Sequence, residues 1–237
     1  MKAILKTLGI LLLITLLVGC VSEKNTTTEL VIARDVTDSI IEQPKTEEIF
    51  SLFGLTENPL NGAIFKFQNL SDVSYNQRSQ LKIEPQNKWL SNEMERQGEI
   101  KKFKIAIESK LEQSPSDTIE KENTSIYLPI ARELNQLSQS KSDRRILVVY
   151  SDLMENTPEL SFYRKGDYEQ VKNQPDSLQK RFEKELLISP LGGIEIYFIY
   201  QPKDIKSDQR FQIISEFYKK LLESKGAKVT ISANLNF

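Results

Sequence analysis

The sequence predicts an α/β fold of three layers, built on a doubly wound and mostly parallel sheet with one antiparallel edge strand. Residues 30–33, 146–150 and 194–200 are short continuous apolar runs, the pattern of strands buried on both faces, and each closes on a polar turn. Apolar stripes at helical spacing lie between the runs. Two weaker strand patterns, 63–68 and 80–83, flank a polar turn over 74–79 and predict an antiparallel hairpin at the sheet edge.

In chain order, the first strand ends at Arg34 and Asp35. Pro44 interrupts the segment 40–53, so the first helix is poorly defined. After the hairpin, Ile100, Phe103, Ile107 and Leu111 mark the buried face of a helix over 87–113. The Lys- and Glu-rich run from Glu93 to Lys110 is its solvated face, with i,i+4 pairs, and Trp89 and Phe103 are expected in the core. Ile130, Leu134 and Leu137 predict the next helix, with Pro129 in its first turn, where the missing N–H costs nothing. Beyond the strand 146–150, Leu178, Phe182 and Leu186 mark another helix. The strand 194–200 leads to a helix carrying Phe211, Ile214, Phe217 and Leu221, closed by Gly226 as C-terminal cap, and 229–232 is the last strand. No internal repeat is present, so one domain over 29–237 is expected.

The N-terminus predicts export. Lys2 and Lys6 precede an apolar run of about 11 residues, the layout of a secretory signal and well short of the roughly 20 residues that span a bilayer as a helix. Leu17-Val18-Gly19-Cys20 resembles the lipobox of bacterial lipoproteins, and Cys20 is the only cysteine. The resemblance implies a signal peptide over 1–19, a mature chain that begins at lipidated Cys20, and anchoring in the cell envelope. The residues that follow, Val21 and Ser22, lack the Asp that marks inner-membrane retention, which implies the outer membrane. Residues 20–28 are polar and Thr-rich, as expected of a flexible tether.

Composition removes several functions. The 237 residues are 39% hydrophobic and 27% charged, which fits a globular core and not a disordered polyelectrolyte. With 32 Lys plus Arg against 33 Asp plus Glu, nothing suggests a surface for nucleic acid. The absence of His excludes an imidazole proton relay and any zinc site that needs one. A single Cys excludes an internal disulfide. Carboxylates, hydroxyls and amides remain as the chemical repertoire.

Those groups concentrate at two strand ends. Asp35, Thr37 and Ser39 alternate after the first strand, and Asp152 follows the strand 146–150. Hard oxygen donors of this kind suit Mg²⁺, Mn²⁺ or Ca²⁺. Adjacent parallel strands would bring the two ends side by side. The pattern resembles the von Willebrand factor type A domain and its metal-ion-dependent adhesion site: Asp-x-Ser-x-Ser after the first strand, a Thr ahead of a middle helix, and an Asp after the fourth strand. Asp35, Thr37 and Ser39 match the first element, with Thr37 in place of a Ser; Thr124 matches the second and Asp152 the third, with Leu153 where a Gly often follows. The resemblance implies a Mg²⁺ site held by Asp35, Thr37, Ser39, Thr124 and Asp152, and a protein partner that supplies an acidic side chain to the cation's open position. Arg34 departs from the pattern, pairing with Asp38 or leaning over the site.

The expected function is a non-enzymatic, lipid-anchored binding module. Two alternatives stand beside it. A metal-dependent phosphohydrolase would use Asp35 as nucleophile, but wants a second Asp where Thr37 stands. A metal-free scaffold would leave Asp-x-Thr-x-Ser as a turn or helix cap. Glu155, Asn156 and Thr157 are expected at the rim with no role.

Overall fold

A computed structural model describes residues 25–37, 43–70, 78–89, 91–112 and 124–235. Their elements run β1 (Thr27–Asp35), α1 (Thr46–Ser51), β2 (Gly62–Leu70), β3 (Arg78–Ile83), α2 (Glu93–Glu112), α3 (Tyr127–Ser138), β4 (Arg144–Tyr150), α4 (Lys165–Asn173), α5 (Pro175–Glu185), β5 (Glu195–Ile199), α6 (Ile205–Ser224) and β6 (Lys228–Ser232). The sheet order is β3-β2-β1-β4-β5-β6. Every pairing is parallel except that of the edge strand β3 with β2.

β1 is central because its side chains are apolar on both faces: Leu30, Val31, Ile32 and Ala33 are all buried. Burying each of the larger ones stabilises the fold by about 1.5–3 kcal/mol. Side chains alternate along a strand, so Arg34 and Asp35 leave β1 on opposite faces. On the Arg34 face, α2 packs Phe103 edge-on against Phe53 at 5.5 Å between ring centres. On the other, α3, α5 and α6 share an aromatic cluster in which Tyr127 stacks on Phe182 at 4.3 Å and Tyr218 meets Phe182 and Phe198 at 6.1 and 6.0 Å.

Polar residues extend β1 and β4 beyond their apolar runs. Arg144 grips Glu195 with two bonds of 2.8 and 2.7 Å, so β4 starts two residues before its apolar run, whereas β5, Glu195–Ile199, falls one residue short of its marked run at each end. Inside the sheet, Glu29 meets Lys66 and the hydroxyls of Ser140 and Ser142. Burial alone would push its carboxyl up; Lys66 and the two serines outweigh it and hold the group below its ordinary range. β1 also begins inside the stretch expected as tether. Thr26 N–H donates to Asn61 Oδ1 at 3.0 Å, Thr27 N–H to Asp143 Oδ2 at 2.9 Å, and Thr26 C=O accepts from Gly62 at 2.9 Å.

The helices follow their predicted faces with three differences. α2 starts at Glu93, because Asn92 Oδ1 accepts the free N–H groups of Met94 and Glu95 at 3.1 and 3.4 Å. Trp89 therefore lies outside the helix and off its apolar face, 92% exposed rather than in the core, while Phe103 is buried as expected. The third difference is α4, which the apolar pattern did not mark because Val171 is its only buried residue. At the far end, α6 opens with a reciprocal cap between Asp204 and Ser207 and closes at Gly226, whose φ of 92° suits only glycine.

At the rim where the strands begin, the backbone approaches itself closely at Gly62: a Cβ there would stand 2.7 Å from both the Pro85 ring and Thr27 Oγ1. Replacing Gly62 with Ala is expected to cost about 1–3 kcal/mol, read as a lower urea midpoint at unchanged slope.

Candidate functional site

The winding of the sheet locates a crevice. From β1 the chain moves outward through β2 to β3, then returns to place β4 on the other side of β1, so the loops leaving β1 and β4 diverge at the carboxyl ends of the strands. The register pairs Arg34 with Tyr150. The next residues, Asp35 and Ser151, thus stand side by side on one face.

They are bonded to each other. Ser151 Oγ donates to Asp35 Oδ2 at 2.9 Å and accepts from Leu153 N–H at 2.9 Å. Asp35 Oδ1 takes the Thr37 N–H at 3.0 Å and the Thr37 hydroxyl at 2.6 Å. Asp35 and Ser151 are buried, whereas Thr37 is exposed. With its proton given to Asp35, the Thr37 hydroxyl presents lone pairs to the solvent side, which is the state in which a hydroxyl can bind a cation.

Thr124 is buried at the entry to α3, and its backbone pairs in both directions with Asn156, at 2.7 and 2.8 Å. This two-bond bridge ties the segment before α3 to the loop after β4. Asp152 Oδ1 accepts from Met154 N–H at 2.9 Å, and its side chain lines a cleft of about 250 Å³ with Tyr163, Tyr200, Lys203 and Arg210. The structure thus joins Asp35 and Thr37 directly, brings Thr124 to the loop that carries Asp152, and directs Asp152 over the end of β5. Ser39, Asp38 and Cys20 lie outside the described residues.

Arg34 leaves β1 on the face away from Asp35. It donates to Asn69 Oδ1, Gln43 Oε1 and Leu111 C=O, each at 3.1 Å, and lies over the Phe67 ring at 5.0 Å. The departure from the resembled pattern is therefore absorbed by α2 and β2.

Two residues that sequence reasoning passed over complete the arrangement. Ser151 links the two strand ends; its only signal is its place before Asp152 in a parallel register. Glu155 is not at the rim but buried, and Oε2 accepts from Ile126 and Tyr127 N–H at 3.1 and 2.9 Å, capping α3 from a distant loop. Burial pushes the Glu155 carboxyl up to about 7, against the pull of those two N–H groups and the Ser125 hydroxyl.

Leu153 holds φ at 62°, a left-handed conformation that costs a side-chain-bearing residue about 1–2 kcal/mol. Its side chain is fully buried, which offsets that strain. The tight turn it makes returns the loop toward Ser151.

The donor chemistry fits a hard cation, since carboxylate and hydroxyl oxygens are what Mg²⁺ and Ca²⁺ select. Among the described residues, no three His, Cys, Asp or Glu side chains gather as a metal-ligating group. Hydroxyls would have to complete a set with only two carboxylates. No known family's sequence profile matches the chain, and no curated protein matches it significantly.

Two outcomes follow from these bonds. Ser151→Ala removes the bonds that its hydroxyl makes to Asp35 Oδ2 and the Leu153 N–H and is expected to lower stability by about 1–3 kcal/mol in chemical denaturation. For Glu155, the folded carboxyl keeps its proton to about pH 7 while the unfolded one releases it near 4.5. The native state binds more protons between those values, so this group's contribution falls as pH rises through the window and is gone above it. Glu155→Gln, which keeps the accepting oxygen, should flatten the decline, so that the melting temperatures of variant and parent shift apart in the variant's favour between about pH 4.5 and 7 and keep a constant offset above that.

Proposed function

We propose that the chain is a lipid-anchored binding module of the bacterial cell envelope, of the von Willebrand factor type A kind, which holds a protein partner through a hard cation. Mg²⁺ is the first choice and Mn²⁺ or Ca²⁺ the alternatives. Cys20 carries the lipid, and the outer membrane is the destination. The reading rests above all on one observation: the Asp35 carboxylate is held between Thr37 and Ser151 at the carboxyl ends of adjacent strands, at the point where the sheet's winding reverses.

Other features support it. A mostly parallel sheet with one antiparallel edge strand suits that fold, and Leu153 takes left-handed backbone at the position where the resembled pattern often has glycine. Asp35, Thr37, Ser39, Thr124 and Asp152 would hold the cation. Few of these ligands are charged, so the ion would keep a strong attraction for an incoming carboxylate. That gives affinity without bond-breaking, which is why the reading is a binding module and not an enzyme.

A specific observation favours a second reading, a cation-free scaffold. Asp35 already receives hydrogen bonds from Thr37 N–H, the Thr37 hydroxyl and Ser151, so its charge is solvated by the protein itself. The two readings separate by thermal melting. A cation at a hundred times its Kd should stabilise the folded chain by about 2.7 kcal/mol. Thr37→Ala removes an exposed hydroxyl together with its bond to Asp35 Oδ1, so this variant should melt below the parent without cation and, unlike the parent, show no further rise when cation is added. No rise in the parent with Mg²⁺, Mn²⁺ or Ca²⁺ assigns the scaffold. Release of phosphate from a generic ester under the same cations would point to a hydrolase instead.

A further inference from the structure

Among the described residues, the rim where the strands begin carries the most exposed large apolar side chains. Trp89 is 92% exposed and Met94 85%. An isolated exposed apolar residue needs no explanation, but these two stand on a built platform. β3 ends at Ile83, opposite Ala63 near the start of β2, so residues 84–89 lie at the rim where the strands begin. Gln86 N–H donates to Leu60 C=O at 2.9 Å, and Ser91 Oγ donates to Gln86 Oε1 at 2.7 Å. Arg96, 2% exposed, clamps the first turn of α2 to the carbonyls of Pro59 and Asn61 at 2.7 and 2.6 Å. Trp89 N–H is held by Asn87 Oδ1 at 3.0 Å. The backbone beneath the indole is thus bonded in place while the ring stands in solvent.

The chain enters the domain at the same spot. Asn25 Nδ2 donates to Gln86 C=O at 2.5 Å, three residues before Trp89. Cys20 lies five residues upstream of Asn25. Fully extended, those stretches reach at most about 18 Å from Asn25 to Cys20 and about 11 Å from Gln86 to Trp89. An acyl group on Cys20 would therefore hold this rim within one tether length of the bilayer.

We propose that Trp89 and Met94 insert into the lipid interface beside the Cys20 anchor, fixing the domain upright with the β1–β4 crevice facing away from the membrane. The proposal rests on the lipid-anchor reading. Trp is suited to the interface because its ring is apolar and its N–H stays wet. The exposed charges along the same segment are Glu84, Lys88, Glu93 and Glu95. Their balance is acidic, so the contact is apolar, and anionic lipid should not strengthen it.

Trp89 is the only tryptophan of the chain, so its fluorescence reports this contact alone. The chain is purified from bacterial membranes, its acyl groups on Cys20 are verified by intact mass, and it is placed in phosphatidylcholine vesicles with or without lipid brominated on the acyl chains. The expected result is emission shifted to shorter wavelength, strong quenching by brominated lipid, and several-fold weaker quenching by acrylamide. Met94→Ser, a substitution at an exposed position, should reduce the bromine quenching. Water-like emission, open to acrylamide and untouched by bromine in lipidated protein, overturns the proposal. Bromine quenching that appears only when anionic lipid is added overturns it too, since the contact would then be electrostatic. A mass without acyl groups sinks the anchor reading separately. A maleimide lipid coupled to Cys20, the chain's only thiol, then tests the contact itself: quenching supports it and its absence overturns it.

Discussion

The parallel pairing of β1 with β4 is the constraint on which the molecule depends. It makes β1 a strand without an exposed face, which only an apolar run can satisfy, and it joins the two halves of a chain that winds in opposite directions from it. It also sets what lies at the rim. Because Arg34 faces Tyr150 in register, the hydroxyl of Ser151 falls on Asp35, and the loop that follows is bent back through Leu153. A slip of one residue would turn the whole set to the other face.

Buried charge is handled by local satisfaction. Glu29 has Lys66 and two serine hydroxyls, Arg96 has carbonyls and Glu99, and Arg34 has three acceptors and an aromatic face. Glu155 is the exception in kind, since it is buried against backbone N–H groups with no cation among the groups that shift it, and its carboxyl rises accordingly. One loop after β4 thereby positions Asp152, bridges Thr124 and caps α3. Those three tasks explain why so irregular a segment is held by so many bonds.

Much of the fold was legible because it rests on long-lived patterns. The three apolar runs became β1, β4 and β5; the stripes through Phe103, Leu134, Phe182 and Phe217 became buried helix faces; Gly226 closed α6. The contact of Thr37 with Asp35 is also local, within one turn, and visible in the spacing. What escaped depends on partners far along the chain. Glu155 caps a helix that begins 28 residues before it, and Ser151 finds Asp35 across 116 residues. Trp89 escaped for a smaller reason: Asn87 and Asn92 are both able to start a turn, and the helix nucleates at the second. That choice of cap decides whether an indole is core or surface.

β1 receives the chain at Thr27 and delivers Asp35 at its opposite end, about 26 Å away at the usual strand rise. Any pull between those two points runs lengthwise along a strand clasped by parallel neighbours on both sides. The ladder bonds lie across that direction and are loaded in shear, so they must yield together and not one after another. Tension applied between those points would pass through the middle of the sheet, with its edges, β3 and β6, outside the line of force.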